Sequence, residues 1–395
     1  MIGAGFMGAA HSQGWRVAPR FFDLPLAPEM SVLVGRDAAR TRAASETWGW
    51  AESSTDWREV LERDDIDVVD IVTPGDTHAE IAIAALEAGK HVLCEKPLAN
   101  TVDEARRMAD AAAAAAANGV RSMVGFTYRR LPATTFARDL IAAGRLGDIR
   151  QVRAEYLQDW LSDAEAPLTW RLQKDRAGSG ALGDIGAHAV DITEFMTGQR
   201  LTRVAGVLET IVAERPVLAA SSGLSGSAGA GRGAVTVDDL ALFTGRLESG
   251  ALASFEASRF RLGRKNALRV EIAGSLGSLS FDLESPNELQ YYDATLPDTE
   301  QGFRRILVTE PGHPYVGAWW PTGHMLGYEH GFSHQAKDFV EAVAAGLDPR
   351  PSFADGLHVQ EVLDAVARSS DADGVWTGVE SPSVVASAER VLAAS

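Results

Sequence analysis

Across the first third of the chain, short apolar runs alternate with segments whose apolar residues recur every three or four positions. Met30 to Val34, Val68 to Val72, His91 to Cys94 and Met123 to Phe126 are the runs, each read as a parallel strand buried on both faces. Between them lie two helical segments. Residues 79–89 carry an apolar stripe and stop at Gly89, while residues 101–119 open on a Thr101 to Glu104 capping box and stop at Asn118-Gly119. The alanine run from Ala111 to Ala117 sits inside that second helix and suits it, since alanine has the best helix propensity. The repetition is βαβ.

After about residue 148 the period changes from helical to two. Residues 149–160, 202–214, 238–248, 251–260, 268–274, 277–283 and 288–293 are strand-like, several strictly alternating, and short glycine-containing turns separate them. An antiparallel sheet is expected. The Gly-, Ser- and Ala-rich stretch 221–234 is expected as a flexible loop between two strands, and residues 334–346 and 359–370 as helices packed back on the body. The predicted fold is therefore α/β: an N-terminal Rossmann domain with a doubly wound parallel sheet at 1–127, then a substrate-binding and oligomerisation domain at 128–395. The second domain is α+β, with a large open, mainly antiparallel sheet.

Composition narrows the function. The 395 residues include one cysteine, Cys94, so no intramolecular disulfide forms and a cytoplasmic setting is expected. The net charge is −17 and the basic residues are scattered, which argues against a nucleic-acid or anionic-membrane partner. No apolar run approaches the roughly 20 residues a bilayer span needs, and the opening residues do not read as a secretory leader. The nine histidines form no H-E-x-x-H cluster, so no metal is expected.

Gly3-Ala4-Gly5-Phe6-Met7-Gly8 is a G-x-G-x-x-G motif opening a helix. Its glycines permit a tight turn, close approach of a pyrophosphate and close helix packing. Only Met1 and Ile2 precede it, where a strand of about five residues is usual, and the expectation is a natural start several residues upstream. Cys94-Glu95-Lys96-Pro97 follows the fourth strand, at the sheet edge where doubly wound folds bind ligands, which makes Lys96 a candidate for proton transfer. Downstream, Asp184 and His188 are four apart in G-x-x-x-D-x-x-x-H, so a helix would turn both to one face, with Asp191 one turn on.

In this order and spacing, the three motifs resemble the glucose-fructose oxidoreductase / inositol dehydrogenase / rhizopine-catabolism (Gfo/Idh/MocA) family over nearly the whole chain. The resemblance implies that Lys96 and His188 form an acid–base pair, that Asp184 binds and orients substrate, and that Lys96-Pro97 is a cis peptide. Tyr156 to Trp160, Trp170-Arg171, His313-Pro314-Tyr315, Gly327-Tyr328-Glu329 and Pro351 to Gly356 further resemble levoglucosan dehydrogenase-like sugar dehydrogenases, which oxidise the C3 hydroxyl of a pyranose with NAD.

The expected cofactor contacts are Gly3, Gly5, Phe6, Met7, Gly8, Arg36, Asp37, Thr73, Pro74, His78, Glu95, Lys96 and Pro97. The expected sugar contacts are Lys96, Tyr128, Gln158, Trp170, Arg171, Asp184, His188 and Tyr328, with Trp170 stacking on a pyranose face. Arg129 and Arg130 are expected to be structural. Gly35 stands where NAD enzymes place an acidic residue, with Arg36 and Asp37 behind it, so NAD is favoured and NADP is accepted. The expected assembly is a homodimer or homotetramer. Rival readings on the same scaffold are an inositol dehydrogenase, an NAD-dependent glycosidase and a non-catalytic redox sensor.

Overall fold

The computed structural model describes residues 1–222 and 225–379. The first sheet is parallel and runs β1 (Val32–Val34), β2 (Glu52–Ser54), β3 (Val68–Ile71), β4 (His91–Cys94) and β5 (Ser122–Val124) in chain order. β1 pairs with β2, and β3, β4 and β5 pair in that order. Ile2 joins the two groups by bridging Val34 on one side and Ile71 on the other, so a single residue supplies the central rung. β2 gave no sequence signal because its three residues are polar and two of them are exposed. The capping box at Thr101 and Glu104 is formed, and Gly89 and Gly119 both adopt positive φ just beyond their helices.

The second sheet has nine strands. In chain order they are β6 (Ile149–Leu157), β7 (Leu201–Glu209), then, beyond a separate ribbon of β8 (Glu214–Ser222) and β9 (Ser225–Ala234), β10 (Leu240–Leu247), β11 (Leu252–Ser258), β12 (Ala267–Gly274), β13 (Gly277–Asp282), β14 (Glu288–Asp293), β15 (Arg304–Leu307) and β16 (Thr377–Gly378). Their spatial order is β15-β14-β13-β12-β6-β11-β10-β7-β16, antiparallel except where β6 lies parallel to β11. Alternate residues of β10 are buried, as its period-two pattern requires. The helices Pro132–Ala142, Ala187–Thr197 and Phe353–Asp371 pack on the sheet, and one apolar core runs from Ile71 and Leu98 in the first unit to Phe353 and Val270 in the second. No helix among the described residues is long and apolar enough to cross a membrane.

The expected loop at 221–234 is corrected. Its described residues belong to β8 and β9, which pair antiparallel from Glu214 with Ala234 inward, while Gly223 and Leu224 lie outside the described residues. Backbone pairing makes this ribbon, and a strand of Gly, Ser and Ala offers no apolar alternation for periodicity to detect. Leu168 bridges to Val217, which ties the ribbon to the segment before Trp170.

Where the two sheets meet, the chain makes one π turn, Leu182–Gly186, directly into the helix Ala187–Thr197. Asp238 holds the start of this turn by accepting from the amides of Gly180 and Leu182, each at 2.7 Å. A Cβ on Gly180 would lie 1.7 Å from the Asp238 carbonyl oxygen, so backbone must move to admit any side chain. Gly180→Ala is expected to destabilise the protein by about 2 kcal/mol or more in denaturant titration, as forced overpacking does. Unchanged stability would mean that the turn does not depend on this approach.

Candidate active site

A cleft of about 1340 Å³ runs between the two units. Every expected cofactor and sugar residue lines it except Gly8. Gly8 is buried where a Cβ would lie 2.4 Å from the Gly3 carbonyl oxygen, and Gly3 itself has φ 123°. These two glycines shape the turn. Gly5 differs, because a Cβ there would meet no protein atom within 4 Å and would project into the cleft. Gly5 precedes the helix Phe6–Phe21, whose first turn has no capping side chain and no acidic residue. Free N–H groups at a helix start attract an anion, so this cradle fits the pyrophosphate of a dinucleotide.

At the far end of the nucleotide half, Arg36 is exposed and has no ion pair among the described residues. Asp37 spends one carboxylate oxygen on the amide of Arg40, capping the helix Ala38–Trp48. Thr73 and Pro74 follow β3 and are held by the Thr77 hydroxyl. The two ring nitrogens of His78 face the carbonyls of Thr73 and Pro97 at 2.8 and 3.0 Å, so this imidazole joins two cleft loops. Lys96-Pro97 is cis. Arg176 pairs with Asp76 at 2.7 Å, a contact from the sugar half to the nucleotide half.

The reactive end is built around Asp184. Lys96 Nζ donates to the Asp184 backbone carbonyl at 2.7 Å and to Oδ1 at 3.0 Å, while Arg259 Nη2 donates to Oδ2 at 2.9 Å and to the Gly180 carbonyl at 2.9 Å. Burial alone would raise this carboxyl, but the charges of Lys96 and Arg259 outweigh it and hold it far below the usual carboxylate range. Asp184 and His188 both line the cleft, yet the carboxylate bonds to the two cations rather than to the imidazole. No protein group among the described residues hydrogen-bonds the ring of His188. It sits among Tyr128, Phe126 and Tyr156, with ring centroids 4.6, 5.8 and 5.9 Å away. Burial, and then the Lys96 charge, lower its pKa well below 6.5, so it is a neutral imidazole.

A hydrogen-bond chain lines the sugar side, and its direction is fixed. The Trp160 indole can only donate, and it donates to Gln158 Oε1 at 2.9 Å. Gln158 Nε2 must then donate to Asn266 Oδ1 at 2.8 Å, which also accepts from the Tyr156 hydroxyl at 2.8 Å. Tyr128, 2.7 Å from Tyr156, is left as the donor of that pair, and its lone pairs stay free. The Arg171 guanidinium lies 4.4 Å over the Trp170 ring and so covers one of its faces. Tyr328 stands half-exposed beside Tyr128 and Phe332.

Asp191 lies away from this chemistry, buried in a bidentate pair with Arg129, and Arg130 pairs with Asp338, so both arginines are structural. Sequence reasoning did not single out Arg259, Asn266, Tyr156 or Trp160. Tyr156 and Trp160 flank Gln158 at the end of β6, inside a run that carries part of the family resemblance. Arg259 and Asn266 follow β11 and precede β12 with no local pattern to mark them.

The comparisons agree with this geometry. Residues 1–126 match the family described as oxidoreductase family, NAD-binding Rossmann fold, and residues 134–280 match the GFO/IDH/MocA C-terminal domain. A levoglucosan dehydrogenase of Pseudarthrobacter phenanthrenivorans is 41% identical over 384 residues, covering 96% of this chain and 97% of that protein. Among solved structures, an oxidoreductase domain protein from Kribbella flavida is 63% identical with a TM-score of 0.92, covering 96% of this chain and 98% of its own. A levoglucosan dehydrogenase in complex with NADH and levoglucosan is 40% identical with a TM-score of 0.89, over the same shares of 96% and 98%. With a dinucleotide cradle on one side of the cleft, a Lys96, Asp184 and His188 cluster on the other, and both family domains matched, this chain belongs to the GFO/IDH/MocA family of NAD-binding oxidoreductases.

Proposed function

We propose that the chain oxidises a secondary hydroxyl, that at C3, of a pyranose sugar, with an anhydrosugar such as levoglucosan as the best-matched substrate. One observation carries this reading. Lys96 keeps one ammonium proton after Asp184 takes the other two bonds, and His188 stands in the same cleft as a neutral imidazole with no hydrogen-bond partner among the described residues. A hydroxyl placed between them would accept from Lys96 and donate to His188.

NAD, when bound, supplies the acceptor for the hydride of the carbinol C–H. The protein handles the proton. As the C=O bond forms, the O–H bond breaks and its proton passes to His188, while the Lys96 ammonium stabilises charge building on the oxygen. Asp184 is clamped too far below neutrality to act as the base, and its part is to hold Lys96. The Tyr128 lone pairs, the free Gln158 proton and the Arg171 guanidinium offer both acceptors and donors to the neighbouring hydroxyls of a sugar. Val207 and Leu242 are exposed and face each other across paired strands of the nine-stranded sheet, which supports assembly as a homodimer or homotetramer through that sheet.

The reading is tested with a panel of levoglucosan, glucose, methyl glucosides and inositols, following NADH. Levoglucosan or another pyranose should turn over with one NADH per oxidised sugar. Turnover of inositols alone, or release of the methyl aglycone without net NADH, would replace it with the cyclitol or the glycosidase reading. Lys96→Ala and His188→Ala should each lower kcat by about 10² or more, the usual worth of a positioned acid–base group, with NAD binding retained. Near-normal turnover in either variant would remove that residue from the mechanism.

His188 also sets a pH signature. Its folded pKa is lowered from 6.5, so the base stays available as pH falls through 6.5, and the acid limb of kcat/KM should lie below that value. In the unfolded chain the same imidazole takes up its proton near 6.5, so its contribution to stability declines on acidification from there. Half-loss of kcat/KM at or above pH 6.5 would contradict a neutral, buried base.

Cofactor choice rests on Arg36, which is exposed with no ion pair among the described residues, while Asp37 has one carboxylate oxygen engaged as a helix cap. NAD should be used and NADP accepted measurably, with Arg36→Ala reducing kcat/KM for NADP more than for NAD. Equal losses would show that Arg36 does not read the 2′ position.

A further inference from the structure

Beneath the reactive end lies a charged cluster that the proposed mechanism does not use. His11, on the helix Phe6–Phe21, is fully enclosed, with its Nδ1 2.9 Å from Asp70 Oδ2 on β3 and its Nε2 2.9 Å from Glu95 Oε1 just after β4. All three side chains are buried. Trp15 Nε1 donates to Asp70 Oδ2 at 2.7 Å, and the Lys96 amide donates to the other oxygen of Glu95 at 3.1 Å. A Cβ on Gly125 would lie 2.6 Å from Glu95 Oε1, so the carboxylate is also packed in place. Of the three residues only Glu95 reaches the cleft, beside Lys96.

The geometry counts the charge. An ionised carboxylate only accepts hydrogen bonds, and a neutral imidazole has one N–H, so two such contacts require a second proton. Two carboxylates and one imidazolium sum to minus one. Burial raises the neighbouring Cys94 thiol and leaves it uncharged at neutral pH, and the Lys96 ammonium beside Glu95 is a separate charge, paired with Asp184. The Phe332 ring packs on His11 at 5.3 Å, and burial is outweighed by the two carboxylates, which raise the imidazolium pKa to about 10.

We propose that Asp70, His11 and Glu95 form a fixed charge of minus one in the floor of the cofactor cleft, which favours the cationic, oxidised nicotinamide over the neutral, reduced one. Glu95 presents the charge to the cleft. His11 and Asp70 are positioning residues, since the imidazolium holds Glu95 in place and limits two adjacent carboxylates to a single net charge. The inference rests on the reading that hydride leaves a carbon held at Lys96 and His188, which sets the redox-active ring next to Glu95.

The test measures affinities for NAD⁺ and NADH by calorimetry with no sugar present, so failure to find a sugar substrate leaves its outcome intact. Glu95→Gln, which neutralises the cluster, should weaken NAD⁺ relative to NADH by about tenfold, the effect of a unit charge acting over roughly 10 Å at an effective dielectric near 20. Asp70→Asn makes the same charge change outside the cleft, and should move the ratio in the same direction by a smaller factor. A merely structural role would lower both affinities together. In the unmodified protein labelled with ¹⁵N-histidine, the histidine whose ring signals move in both Glu95→Gln and Asp70→Asn should have both ring nitrogens protonated at pH 8. An unchanged affinity ratio in the folded variants, or a singly protonated ring at pH 8 for that histidine, overturns the proposal.

Discussion

The ion pair between Lys96 and Asp184 joins the two halves of the molecule at the point where chemistry is expected. Lys96 comes from the loop after β4 of the dinucleotide sheet, Asp184 from the π turn of the second unit, and Arg259 closes the arrangement from the end of β11. Each partner depends on the others. Without Arg259 the carboxylate would face burial with one cation, and without Asp184 two cations would face each other in the cleft wall. The π turn is what turns the Asp184 carboxylate toward these cations while the following helix carries His188 into the aromatic pocket. Such turns, inserted at the start of a helix, separate side chains that a regular helix would stack.

Two charge states follow from this constraint. Asp184 stays ionised and so remains a support rather than a base, and the nearby Lys96 charge helps keep His188 neutral. In the proposed mechanism, acid and base are thereby assigned by environment, through a shared carboxylate, and not by residue type. The hydrogen-bond chain from Trp160 to Tyr128 adds a second fixed polarity, because a single indole N–H at one end decides which atom is left to accept at the other.

Much of this was legible in the sequence. Short, mostly apolar runs marked the parallel strands β3 and β4, alternation marked β10 and β12, and the capping box at Thr101 marked a helix start to the residue. The glycine motif, Lys96, Asp184 and His188 could be named because each lies in a local run with a spacing. What was not legible depends on contacts distant in sequence. Arg259 lies 75 residues from Asp184, Asn266 lies 110 from Tyr156, and His11 lies 84 from Glu95, so no short window along the chain contains any of these pairs. The β8–β9 ribbon was not legible for a different reason: its glycines, serines and alanines show no apolar alternation, and the backbone ladder pairs them. Asp37 is among the expected cofactor contacts, and its competing use as a helix cap appears only once the turn after β1 is seen.

The central claim is that a substrate hydroxyl sits between a donor, Lys96, and an acceptor, His188, with Asp184 behind Lys96. The most direct measurement is the crystal structure of this protein with NADH and a sugar that it oxidises. The account predicts one sugar oxygen within about 2.6–3.2 Å of both Lys96 Nζ and a ring nitrogen of His188, with the Lys96 to Asp184 contact kept. A sugar hydroxyl bonded to Asp184 with Lys96 turned away, or His188 left without a sugar contact, would contradict it.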